Sequence, residues 1–201
     1  MARRIPGTVD DPVGKYTIWH QGDPAAWGVT VCKIDVSAKE LLARLWLLGS
    51  YRERAFHRHH NGDNFPRAVW EKLDGTRSQQ YSTTHRMPKG FKNRLFECWQ
   101  TWEERTLNDG RKQFVLVHAP IGQYSGTRHM LKGTESGITR GLSKGVYLVE
   151  ELTENTCKWT RMQYVDLKIA LPKQIMDMLT KGYLGWANRL QEEFRRNGKE
   201  V

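Results

Sequence analysis

From Trp27 to Val36 the chain reads WGVTVCKIDV, a β-branched, partly alternating run that predicts a strand. It feeds Ser37-Ala38-Lys39-Glu40, a capping box in which Ser37 and Glu40 satisfy each other's exposed amides, so a helix should start there. That helix carries Leu41, Leu42, Leu45, Trp46 and Leu48 and should stop at Gly49, where the absent side chain permits a left-handed turn. Tyr51 to Asn64 is polar and reads as a loop. Four runs with strand character follow, each ended by turn residues: Ala68 to Leu73, Ser78 to Arg86, Arg94 to Arg105 and Gln113 to Ala119. Their spacing is that of hairpins and predicts an antiparallel meander. Ile121 to Lys144, rich in Gly, Ser, Thr and Lys, reads as loop, and strand character resumes over Gly145 to Leu152 and Lys158 to Ile169. Pro172 suits the first turn of a last helix, in which Ile175, Leu179, Tyr183, Trp186, Leu190 and Phe194 recur at three- and four-residue steps. That helix has one apolar face and should lie on the domain with its other side in solvent. No repeat, low-complexity tract or internal linker interrupts the pattern.

The 201 residues fit one domain, large enough to bury a core and still leave room for a pocket. Residues 1–15 lack an apolar stretch of the kind a secretory signal needs and are expected to be a flexible lead-in, with the folded domain over 16–198. No apolar run reaches the roughly 20 residues of a membrane span, so a soluble protein is expected; it is also read as a cytoplasmic monomer, peripheral to membranes. Lys and Arg outnumber Asp and Glu by 32 to 22, a net charge of +10 that serves nucleic acid, anionic lipid or plain solubility equally well. The tryptophans fall at core-like positions and no nucleic-acid motif is present, so a nucleic-acid module is the weaker reading and no nucleic-acid partner is expected. Cys32, Cys98 and Cys157 are odd in number and far apart, which argues against disulfides or zinc. The histidine run at His57, His59 and His60 sits in the expected polar loop, without the rigid frame a metal site needs. No nucleophile with a base and an ordered acid is visible, so no catalytic residue, metal or cofactor is expected.

The stretch Lys158 to Phe194, KWTRMQYVDLKIALPKQIMDMLTKGYLGWANRLQEEF, joins a strand ending in Asp166-Leu167-Lys168 to Leu171-Pro172-Lys173 and an amphipathic helix containing Trp186-Ala187-Asn188-Arg189-Leu190. With Asn93-Arg94-Leu95-Phe96 and Gly145-Val146-Tyr147-Leu148 placed in the same order, it resembles the START (steroidogenic acute regulatory protein-related lipid transfer) domains. The resemblance implies an α+β helix-grip fold: a curved antiparallel sheet wrapped around a long C-terminal helix, with an apolar tunnel between them. It also implies non-covalent binding of a lipid or sterol-like molecule, for transfer or sensing. Helix-grip enzymes of cyclase or hydrolase type remain the alternative. On this alignment Trp186, Leu190, Tyr183 and Leu179 lie on the roof helix, while Phe96, Cys98, Gln100 and Trp102 share one strand face and Val115 and Val117 lie on the next strand. Taken without the family, the same aromatics would simply fill a core. Sterol-binding relatives place a carboxylate and an arginine in the tunnel, and the corresponding positions are Tyr81 and Gln100, which points to a neutral polar end for the cargo. Arg128, Lys132, Arg140 and Lys144 are the expected contacts with an anionic membrane surface.

Overall fold

Period-two alternation along β10 (Thr156–Asp166) puts Trp159, Arg161, Gln163 and Val165 on one side of a sheet and Lys158, Thr160, Met162 and Tyr164 on the other. Around it the computed structural model, which describes residues 3–4, 14–20, 25–62, 67–71, 77–123 and 138–197, forms a curved ten-stranded sheet. The remaining strands are β1 (Arg3–Arg4), β2 (Gly14–His20), β3 (Ala25–Ile34), β4 (Arg67–Glu71), β5 (Ser78–His85), β6 (Asn93–Thr106), β7 (Lys112–Pro120), β8 (Ile138–Arg140) and β9 (Leu142–Thr153). Their order is β1-β2-β3-β10-β9-β7-β6-β5-β4, with antiparallel pairing along that path and β8 parallel to β6. The expected meander is therefore present from β4 to β7 and again from β9 to β10. Gly14 and Lys15, expected in the lead-in, belong to β2, and β1 pairs with it.

Four helices pack on the inner face. α1 (Ala38–Trp46) begins as expected: the Ser37 side chain accepts the Glu40 N–H and donates to the Glu40 carboxylate at 2.7 Å. It ends before Gly49, because the Leu47 N–H already bonds the Ala43 carbonyl and the chain turns there. The expected loop over Tyr51 to Asn64 is instead α2 (Tyr51–Asn61), started by a second capping box in which Ser50 accepts the Glu53 N–H. The C-terminal helix is two helices, α3 (Lys173–Leu184) and α4 (Trp186–Asn197), which meet at Gly185. Pro172 stands just before α3, and its carbonyl accepts the N–H groups of Ile175 and Met176.

The interior divides in two. One apolar cluster joins Ile34, Leu41, Leu45, Leu116, Val149, Trp159, Leu184 and Leu190, tying α1, α3 and α4 to the middle of the sheet. The other joins Met87, Phe96, Val165, Leu171 and Met176, where the start of α3 meets β6 and β10. Full burial of each large aliphatic side chain contributes about 1.5–3 kcal/mol. Polar contacts bind the helices to one another. Arg44 of α1 pairs with Glu53 of α2 and, at 2.6 Å, with Glu193 of α4, while Arg52 of α2 meets Glu193 at 3.0 Å.

Candidate functional site

Between the two apolar clusters lies a cavity of about 400 Å³. It borrows Leu45, Tyr147 and Trp186 from the edge of the first cluster and Met87, Phe96, Val165 and Leu179 from the second. The sheet is its floor, α2 forms one wall and α3 and α4 roof it. Arg86, Met178, Gly182 and Arg189 are exposed and still border it, so they mark its mouth; Met178 keeps 57 % of its surface.

The floor is polar in a defined order. Strand register aligns Gly28, Gln163, Gly145, His118, Gln100 and Gln79 in one row across β3, β10, β9, β7, β6 and β5. Side chains along this row are linked. Gln79 donates to the Gln100 amide oxygen at 2.9 Å and to the Trp46 carbonyl at 2.8 Å. Ser143 Oγ accepts from Gln163 Nε2 at 3.1 Å and lies 3.1 Å from His118 Nε2, and Arg161 donates to Gln163. Gly145 makes the row possible: a Cβ there would stand 2.4 Å from the Met162 carbonyl oxygen and 2.8 Å from the His118 ring.

The next row sets Thr30, Arg161, Tyr147, Leu116 and Trp102 side by side. The Arg161 guanidinium, in a residue only 5 % exposed, lies 5.4 Å from the Tyr147 ring centre and 5.3 Å from that of Trp186. Burial, helped by Arg161, holds His118 down at about 3, so its imidazole is neutral at ordinary pH. Burial likewise raises the Tyr147 phenol. On the α2 side, Glu53, His57 and Asn61 share one helix face and border the cavity. Asn61 Nδ2 lies 3.2 Å from His57 Nδ1, and Thr83 Oγ1 lies 3.4 Å from the same nitrogen.

Of the residues the sequence nominated, Tyr81, Phe96, Gln100, Leu179 and Trp186 stand on the cavity wall. Others do not. Leu190 is fully buried in the first apolar cluster. Trp102 packs edge-on against Phe114 at 6.1 Å with Arg77 over its ring, beyond the end of the cavity. Cys98 is buried and gives its thiol to the Ser143 carbonyl at 3.5 Å; burial pushes that thiol up to about 12. Val115 and Val117 pair with Glu103 and Thr101 on the outer face, while Phe114, Leu116 and His118 point inward. The side chain of Tyr183 lies outside the described residues, as do Arg128 and Lys132. Arg140 pairs with Glu97 at 3.1 Å. Lys144 sits on the outer face over the rings of Tyr164 and Trp27.

Sequence reasoning missed Arg161, Gln163, Ser143, His118 and the α2 trio. The alternation of Trp159, Arg161, Gln163 and Val165 was the available signal, since it puts two polar residues on a face that also carries Trp159. His57 is not in a solvated loop but buried against β5. Gln100 is not the sole polar group of the cavity, whose wall also carries Ser143, Arg161 and Gln163. Among the described residues no cluster of three or more His, Cys, Asp or Glu could hold a metal ion, and no helix is long and apolar enough to cross a membrane.

This architecture is shared with solved structures. The lipid transfer and protein localization domain of human StarD13 is similar over 96 % of this chain and 89 % of its own, at 18 % identity and a TM-score of 0.65. A STAR-related lipid transfer protein from Xanthomonas axonopodis matches over 94 % and 98 %, at 14 % identity and a TM-score of 0.62. The chain has the helix-grip fold of the START domains. Human StAR-related lipid transfer protein 5 adds a third likeness, over 90 % of this chain and 88 % of its own, at 15 % identity and a TM-score of 0.57. No protein-family model and no curated protein matches the sequence.

Proposed function

We propose that the protein binds one lipid-like small molecule non-covalently in this cavity and carries or senses it without converting it. The observation that carries the reading is the cavity itself, set between two packed apolar clusters and roofed by α3 and α4. Interiors are normally packed to the density of organic crystals, so a cleft this large, opening between two packed clusters, leaves room for an occupant. Its size lies at the low end of ligand pockets, about 300–1,000 Å³, which suits one acyl chain or a fused-ring skeleton. The START-like fold supports the same class of cargo.

A non-catalytic role is supported by the state of the reactive groups. The Cys98 thiol is pushed far from thiolate, His118 is held neutral, and the Glu53 carboxylate is engaged by Arg44. Cargo exchange would take place at the mouth, with transient contact to an anionic membrane through the protein's excess of basic residues. The test is native mass spectrometry of the purified protein followed by solvent extraction. One bound amphiphile, recovered chemically unchanged after long incubation, supports the proposal. A protein that never retains an apolar molecule, or one that releases a converted product, refutes it.

A further inference from the structure

Resting on that reading, we infer that the cargo bears a single carboxylate, seated at the deep end of the cavity on Arg161. The charges of the wall point there. Among the described residues it holds three cations, Arg86, Arg161 and Arg189, and one acidic group, Glu53, which Arg44 already engages from outside the wall. Arg86 and Arg189 stand at the exposed mouth, whereas Arg161 is buried. A buried guanidinium is costly to desolvate, and a bound anion offsets that cost far better than a neutral group does.

The setting of Arg161 also selects the shape of the anion. Tyr147 and Trp186 flank the guanidinium and Gln163 accepts from it, which fixes the plane of its fork. A fixed planar fork matches a planar carboxylate through two parallel hydrogen bonds. Its nearest partners along the floor, Gln163, Ser143 and the neutral His118, bring no second positive charge, so one negative charge is balanced and the double charge of a phosphate monoester is not. The apolar body would then run from Arg161 toward the mouth between Phe96 and Val165 below and Leu179 above.

Isothermal titration calorimetry with probes of one tail and different heads tests this: dodecanoate, dodecanamide, dodecyl phosphate and dodecyltrimethylammonium. The expected result is dodecanoate binding at least about tenfold tighter than dodecanamide, the worth of one charge-assisted hydrogen bond, with the cationic probe weakest. Arg161→Gln should weaken dodecanoate far more than dodecanamide and so abolish that preference. Should this variant misfold, the order of the four probes on the unaltered protein decides the matter alone. Equal or tighter binding of dodecanamide overturns the inference, and tighter binding of dodecyl phosphate overturns the choice of carboxylate. If no probe binds while an amphiphile still co-purifies, the head-group assignment is wrong and the cavity reading stands; if nothing co-purifies either, both fall.

Discussion

Replacing Arg44 with methionine should cost the protein a large part of its stability. The Arg44 and Glu53 side chains are only 10 % and 4 % exposed, so the variant takes from a buried carboxylate the guanidinium that pairs with it. Breaking a buried ion pair by removing one partner costs about 3–5 kcal/mol. For a chain of this size each kcal/mol lowers Tm by about 2–4 °C, which gives a drop of roughly 6 to 20 °C. Glu193 should add little to the loss, because Arg52 stays within 3.0 Å of it and the carboxylate is less buried. The double variant Arg44→Met with Glu53→Gln removes the buried charge as well and should recover more than half of the lost stability. Urea unfolding followed by circular dichroism, with both single variants and the double, closes the cycle. A single-variant loss below about 1 kcal/mol would mean that the pair is solvated like a surface bridge. A double variant no better than Arg44→Met would show that Arg44 acts by packing, and either outcome refutes the reasoning.

Three further outcomes follow from the packing and the buried groups. His118 titrates at about 3 in the folded protein against 6.5 for the free side chain, so the unfolded chain takes up the proton first and its contribution to stability is complete above 6.5 and lost as pH falls toward 3; urea midpoints across that window should fall with a slope of up to about 1.36 kcal/mol per pH unit, and His118→Gln should flatten it. Cys32, Cys98 and Cys157 are all pushed up to about 12, so none should react with a thiol-specific disulfide reagent at pH 8 until the protein is unfolded, and rapid labelling of the native protein would contradict their burial. Leu116→Ala should cost about 2–5 kcal/mol in urea unfolding, whereas Val117→Thr on the outer face should cost well under half of that; similar losses would show that the face of β7 has been misassigned.

The elements that the sequence revealed are those in which one periodicity and one cap agree. Ser37 to Glu40 is followed by an apolar helical stripe, and α1 was legible. Ser50 to Glu53 is the same box, yet the helix behind it buries Glu53, His57 and Asn61, and a polar buried face gives no hydrophobic signal. Those residues face a cavity rather than a core, which is why the pattern fails there. On β7 the run Phe114-Val115-Leu116-Val117 is apolar on both faces, so a period of two cannot say which side is in; only its register with Trp102 and Tyr147 decides. The roof helix was legible in its stripe but not in its break, because a lone glycine within a helical pattern is compatible with continuity. Arg161 escaped notice because a buried cation makes sense only once Tyr147, Trp186 and Gln163 are seen around it, and these come from β9, α4 and β10.

Gly182 offers the most direct test of binding inside the cavity. It lies on α3 at the mouth, and a Cβ added there would meet no atom within 4 Å, so Gly182→Phe should be accommodated by the fold and narrow the opening. Replacing a helical glycine should if anything raise stability, by up to about 1 kcal/mol. Titrating dodecanoate into both proteins, the account predicts at least about a tenfold loss of affinity for Gly182→Phe with Tm unchanged or higher. Equal affinity in the two proteins, with the variant folded, would contradict it and place any bound amphiphile elsewhere on the surface.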